Sequence, residues 1–245
     1  MVNFKNKFNK EYKNFDAISD EWWEEDGKFA ILHKINPIRI NYILDQILSH
    51  KKTKKIKKNP LNKIKIIDLG CGGGLTCEPL KRLGAEVTGV DFIKNNINNA
   101  KKHAKDNNLK IKYYVADINK INLKEKYDVI LLLEIIEHLE NWEEIIEKTY
   151  KFLNKGGIII ISSINRNLIS RIFALFVAEN ILQWVPKGTH EYKKLIKPDE
   201  LTIKLKKINY KIKNITGMNY NPISRKWNLS KKIKNINYFC TAIKN

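Results

Sequence analysis

Ile66-Ile67-Asp68-Leu69-Gly70-Cys71-Gly72-Gly73-Gly74 reads as the end of a buried strand running into a glycine-rich turn, and a helix-length segment follows from Leu75. Glycines there let the backbone come close to a ligand, and in open α/β sheets ligands bind outside the carboxyl ends of the strands. Working outward, apolar runs of strand length at 64–69, 86–91, 111–116, 127–133 and 157–162 alternate with longer amphipathic segments at 75–83, 93–107 and 142–153. Their hydrophobicity is continuous rather than alternating, which predicts a parallel sheet covered on both faces. Gly156-Gly157 is expected to end the third helix and turn the chain into the next strand. Two last strands, 210–218 and 237–244, would complete a doubly wound α/β sheet of seven mostly parallel strands. The expected organisation is one domain: a helical extension and basic linker at 1–60, the core at 61–163, a helical insertion at 164–198 and completion of the sheet at 199–245.

Composition narrows the partners. The chain of 245 residues carries a formal charge of +20, but only five of its 46 basic residues are Arg, and Lys crowds every segment, including 51–58 (KKTKKIKK). Bidentate recognition of bases and phosphates leans on Arg. The charge therefore reads as compositional drift, 51–58 as a solvated linker, and no nucleic acid partner is expected. Cys71, Cys77 and Cys240 fall in no metal or disulfide spacing, which fits a reducing compartment. The start, MVNFKNKFNKEYKNF, lacks an apolar core of signal type. The longest apolar run, 172–178, is far shorter than the roughly 20 residues of a membrane span. A cytoplasmic location is expected.

Three acids mark three strand ends. Asp68 lies inside the first, where it could meet the amino acid end of a ligand or brace the turn. Asp91 closes the second, 21 residues after Gly70, where a carboxylate can accept both ribose hydroxyls. Asp117 closes the third, within reach of an adenine amino group. Leu75 stands where a dinucleotide fingerprint wants a small residue, and the turn holds no Lys or Arg for a phosphate. The set suits a nucleoside bearing a cationic sulfonium, S-adenosylmethionine, better than a pyrophosphate. The competing reading is that the acids merely cap helices.

Phe15-Asp16, Trp22-Trp23, Leu32-His33, Asn36-Pro37-x-Arg39, the turn ending at Gly74, Asn165-Arg166, Val185-Pro-Lys-Gly-Thr-His190, Lys197-Pro198, Gly217, Tyr220-Asn-Pro222 and Asn237-Tyr238 together resemble the ubiquinone-biosynthesis O-methyltransferases. These belong to the class I, Rossmann-like methyltransferases. The resemblance implies cofactor contacts at Arg39, Gly70, Asp91 and Leu133; the turn's own spacing adds Gly72 and Gly74 to the expected cofactor site. It implies polyprenylated catechol or hydroquinone acceptors, methylated on a phenolic oxygen, and partner proteins of ubiquinone synthesis. Arg39 would reach the methionine carboxylate.

The fourth strand runs into Leu133-Glu134-Ile135-Ile136-Glu137-His138. On one helical turn, Glu134, Glu137 and His138 would share a face. Such a face could ligate a divalent cation such as Mg²⁺, which would bind both catechol hydroxyls. Alternatively His138 is a general base, or the acids only complement a helix dipole. His190 is a second-choice base, with Glu191 where the family pattern has Asp. The excursion at 165–186 shows an apolar face at helical spacing flanked by Arg166, Arg171 and Lys187, with Trp184 near its end. It is expected to dock on the anionic inner face of a membrane and admit the acceptor, although a core helix would look similar. A nucleic-acid methyltransferase is favoured by charge alone. A non-catalytic cofactor-binding or membrane module is disfavoured by the intact turn and strand-end acids.

Overall fold

The apolar runs become strands because each is buried on two sides. In β1 (Lys65–Leu69), β4 (Tyr127–Leu133) and β5 (Leu153–Ile164), alternate residues enter opposite clusters. Ile66, Val129, Leu131, Ile158 and Ile160 pack on one face, and Ile67, Leu69, Ile130, Leu132, Ile159 and Ile161 on the other. The computed structural model describes residues 16–52, 58–170, 194–221, 223–224 and 226–245.

With β2 (Glu86–Asp91), β3 (Lys112–Val115), β6 (Tyr210–Asn221), β7 (Lys226–Ser230) and β8 (Asn237–Lys244), the sheet runs in the order β3-β2-β1-β4-β5-β8-β6-β7. The β3 to β5 half is parallel. The last three strands are antiparallel. Helix α1 (Ala30–Lys51) sends Ile43 and Ile47 into the first cluster and stacks Tyr42 on Phe239 at 4.4 Å. α2 (Cys77–Arg82) and α3 (Lys94–Asp106) complete that face through Leu80, Ile97 and Ala100. α4 (Trp142–Phe152) and α5 (Pro198–Lys207) cover the other through Ile146, Leu201 and Leu205. Each fully buried Ile or Leu contributes on the order of 1.5–3 kcal/mol.

Three expectations need correction. The sheet has eight strands, not seven, because β7 adds an antiparallel ribbon to the outer edge of β6 from Gly217↔Ser230 to Asn221↔Lys226. Its KWNLS sequence is largely exposed and carries no hydrophobic pattern. Helix α5 was not anticipated; its first turn is closed by the Lys197 N–H donating to Glu200 Oε2 at 3.1 Å, with Pro198 at the first helical position. Gly156 does not end a helix. α4 stops at Phe152 and β5 starts at Leu153, so Gly156, at φ +70°, lies where the register jumps from Tyr127↔Leu153 to Val129↔Ile158.

Within the 165–186 excursion the described residues stop at 170, with Leu168 and Ile169 exposed and Ser170 buried. The rest of it, with His190 and Glu191, lies outside the described residues, as does most of the 51–58 linker. Among the described residues no helix is long and apolar enough to cross a membrane.

Candidate functional site

Strands β2 and β4 flank β1, so successive connections leave on opposite sides and the crevice opens between the carboxyl ends of β1 and β4. Asp68 and Leu69 end β1, Asp91 ends β2 and Leu133 ends β4. The turn after β1 is pinned at its start by Gly70 and Cys71 N–H groups donating to Val90 O at 2.8 and 3.0 Å. Gly70, Gly72 and Gly74 have φ of +85°, +53° and +87°, a region that L side chains avoid. The Gly72 N–H donates to Asp91 Oδ2 at 2.9 Å, and Ile93 N–H to Asp91 Oδ1 at 2.9 Å. Burial raises the Asp91 carboxyl, and those two N–H groups hold it down.

Arg39, on α1, is buried beside Glu134 and Asp68 at this crevice. Its Nη2 lies 4.0 Å from Glu134 Oε1, and both Nε and Nη2 are buried without a hydrogen-bond partner among the described residues. Burial works against its charge; Glu134 and Asp68 work for it. Asp68 is complementary: Oδ2 accepts from Cys77 Sγ at 3.6 Å, whereas Oδ1 is buried with no donor among the described residues. Burial pushes its carboxyl up to about 7, with Arg39 pulling downward. An orphaned guanidinium edge and an orphaned carboxylate oxygen at one crevice match the carboxylate and ammonium of an amino acid, so the residues fit the methionine end of S-adenosylmethionine. Asp117 lies two residues beyond β3, half-buried, accepting from Asn119 N–H and Nδ2 at 2.9 Å. Those bonds close the turn at 117–120, and among the described residues no helix follows for it to cap.

Glu134, Glu137 and His138 do not share a helical face. Glu134 has φ +54° and breaks the chain direction before a single 3-10 turn at Ile136–His138. Its carboxylate turns away to accept from Ser162 Oγ at 2.5 Å and Asn237 Nδ2 at 2.9 Å. Glu137 is buried, and its Oε2 has no hydrogen-bond partner among the described residues. Burial, then Glu134, push its carboxyl up to about 7, while His138 pulls it down. His138 is half-buried on the same turn. Among the described residues no three His, Cys, Asp or Glu side chains are grouped to hold a metal ion. The shared-face expectation fails because a left-handed residue and a 3-10 turn replace the assumed α-helix.

Residue patterns had not singled out Asn36, Ser162, Asn237 or Asn96. Asn36 Nδ2 donates to Leu75 O at 2.8 Å, tying α1 to the turn. Asn36 and Asn237 stood within family motifs, but nothing local distinguished Ser162 or Asn96.

A family profile described as a methyltransferase domain matches residues 61–227. The ubiquinone biosynthesis O-methyltransferase of Pelagibacter ubique is 45% identical over 236 residues, 96% of this chain and 98% of that protein. That of Rickettsia felis is 41% identical over 230 residues, 94% of this chain and 91% of that protein. Among solved structures, magnesium protoporphyrin IX methyltransferase from Synechocystis PCC 6803 with bound SAH shares the fold at a TM-score of 0.64 and 16% identity, covering 89% of this chain and 86% of that one.

Proposed function

The chain belongs to the ubiquinone biosynthesis O-methyltransferase family, and from that premise we propose that this S-adenosylmethionine-dependent O-methyltransferase acts on a phenolic hydroxyl of a polyprenylated catechol or hydroquinone. The observation that carries the site assignment is the orphaned pair, Arg39 and Asp68 Oδ1, beside the glycine turn.

Arg39 would take the carboxylate and Asp68 the ammonium of the methionine end, Asp91 the ribose hydroxyls, and Asp117 the adenine edge. Gly70, Gly72 and Gly74 allow close backbone approach, and Leu133 walls the crevice. The bound cofactor supplies an electrophilic methyl on a sulfonium. At the end of β4, one imidazole nitrogen of His138 takes the phenol proton. The ordinary phenol pKa of about 10 makes that removal necessary near neutral pH. Glu137, ionised above about pH 7 and electrostatically paired with His138, steadies the imidazolium. The freed oxygen attacks in line, forming the oxygen–carbon bond as the carbon–sulfur bond breaks. Glu134 acts at a distance from the acceptor, holding the Arg39 charge in place.

The orphaned Glu137 Oε2 favours a second reading, a Mg²⁺ ion at the acceptor. It would require Glu134 to leave Ser162 and Asn237, so no step is derived through it. Methyl transfer from labelled S-adenosylmethionine to a short-chain prenylated catechol, with and without chelator, separates the two. Transfer that survives chelation and falls about 10²–10⁴-fold in His138→Ala supports the base. Loss on chelation with restoration by Mg²⁺ supports the ion. Full activity of the His138→Ala and Glu137→Ala variants refutes both.

The exposed Leu168 and Ile169, at the start of an apolar excursion flanked by Arg166 and Arg171, support peripheral docking of 165–186 on the anionic cytoplasmic face of a membrane, where a prenylated acceptor resides.

A further inference from the structure

Trp22 and Trp23 lie outside the steps above, yet they hold the cofactor turn. They follow a 3-10 turn at Ser19–Glu21. A Cβ on Gly72 or Gly73 would come within 2.3 or 2.4 Å of the Trp22 ring, so the ring rests directly on the peptide face of both glycines. Phe29 stacks on the same ring, with centroids 3.9 Å apart and planes at 8°. The indole N–H donates to Asn96 Oδ1 at 2.7 Å, and Asn96 Nδ2 donates to Asp91 Oδ1 at 3.3 Å. Asp91 Oδ2 accepts the Gly72 N–H. The chain of contacts therefore closes on itself, from Trp22 through Asn96 and Asp91 to Gly72 and back to the indole. Its polarity is fixed from both ends, because an indole only donates and a carboxylate only accepts, leaving the Asn96 amide one orientation. Trp23 adds a parallel anchor: its Nε1 donates to Gly73 O at 3.1 Å, and its ring stacks on His103 at 3.5 Å and 6°. His103 Nδ1 in turn lies 2.7 Å from the buried Glu78 Oε1. The backbone of the strap is tied to α3 as well, with Asn99 Nδ2 donating to Ser19 O at 2.8 Å.

We propose that Trp22 is a positioning residue for the ribose-binding acid: through Asn96 it fixes the Asp91 carboxylate, and through its ring it fixes the Gly72 and Gly73 peptides, in the conformation that receives S-adenosylmethionine. This rests on the assignment of Asp91 to the ribose made above. The segment before α1 is on this account a working part of the cofactor site rather than a cover for the acceptor. Without the indole N–H, Asn96 Oδ1 would be buried without a donor, its amide would be free to rotate, and Asp91 would lose a fixed neighbour.

The test is a set of calorimetric titrations with S-adenosylhomocysteine. Trp22→Phe keeps an aromatic ring against Phe29 and the glycines and removes the indole donor. Its Kd is expected to rise about tenfold, with the KM for S-adenosylmethionine rising in step and kcat at saturation unchanged. Asn96→Leu breaks the same link from α3, and adding Trp22→Phe to it should cost about twofold or less further. In an Asp91→Ala background the Trp22→Phe penalty should likewise shrink to about twofold or less, which general loosening of the fold would not produce. A penalty that persists undiminished in that background overturns the proposal, and so does wild-type affinity in Trp22→Phe. Wild-type protein that fails to bind S-adenosylhomocysteine overturns the cofactor assignment, and the proposal with it.

Discussion

Binding of the cofactor is expected to expel a proton from Asp68, in an amount set by that residue's surroundings. Burial pushes its carboxyl up to about 7 against the pull of Arg39, so at pH 7 roughly half of the free chains are protonated there. A ligand ammonium against the orphaned Oδ1 favours the ionised acid and returns it toward the ordinary carboxylate range. Binding then releases about half a proton per site at pH 7 and about 0.9 at pH 6. By linkage the affinity for S-adenosylhomocysteine should fall about tenfold from pH 8 to pH 6. The assay is calorimetry in pairs of buffers with different ionisation enthalpies, where the dependence of heat on buffer counts the protons. Glu137 is also pushed up to about 7, and Asp68→Asn separates the two by abolishing only its own share. Buffer-independent heats at pH 6, or undiminished release in Asp68→Asn, would refute the ammonium placement. Stability has a matching sign. A folded pKa above the unfolded value means that Asp68 costs nothing below about pH 4 and on the order of 4 kcal/mol once pH has risen through 7. The ligand-free chain should therefore lose stability between about pH 4 and pH 7, and Asp68→Asn should flatten that loss.

Asp91→Ala should weaken S-adenosylhomocysteine binding by about 1.5–3 kcal/mol, since a charged acceptor is lost; unchanged affinity by calorimetry would mean that the ribose is held elsewhere. The wild-type chain should sediment with anionic vesicles and come off as salt rises. Phe173→Asp with Phe176→Asp should weaken that association while keeping cofactor affinity, and a variant that unfolds or loses the cofactor would assign the segment to the core.

What could be read from the sequence was what local physics dictates. Ile66, Ile67, Val129 and Ile130 announce a two-sided strand because consecutive residues must both be apolar when both faces are buried. Gly70, Gly72 and Gly74 announce a turn because their φ values suit glycine. β7 was illegible because an edge strand held by backbone pairing, with only Trp227 packing inward and most of its other side chains exposed, needs no alternating pattern. Arg39 could be placed only through family motifs. A basic residue in a helix usually faces solvent, and nothing near it in sequence reveals that Asp68 and Glu134 wait across the crevice.

The misreading at Glu134 shows where the remaining information lies. Spacings of three and four predict a shared face only if the backbone is helical throughout, and a non-glycine residue at φ +54° costs on the order of 1–3 kcal/mol unless its surroundings enforce it. They do enforce it here. The Glu134 N–H donates to Ser162 O at 3.0 Å, and its side chain accepts from Ser162 and Asn237, on β5 and β8. Asn237 is 103 residues away in the chain. β8 runs antiparallel to β5, with Asn237 opposite Ile164. That pairing brings the start of β8 to the carboxyl end of β5, beside the end of β4. The antiparallel strand therefore completes the sheet and also carries the amide that holds Glu134, and through Glu134 the Arg39 charge, at the crevice. Glu134 takes up that work at the expense of the helical face it would need to share with Glu137 and His138.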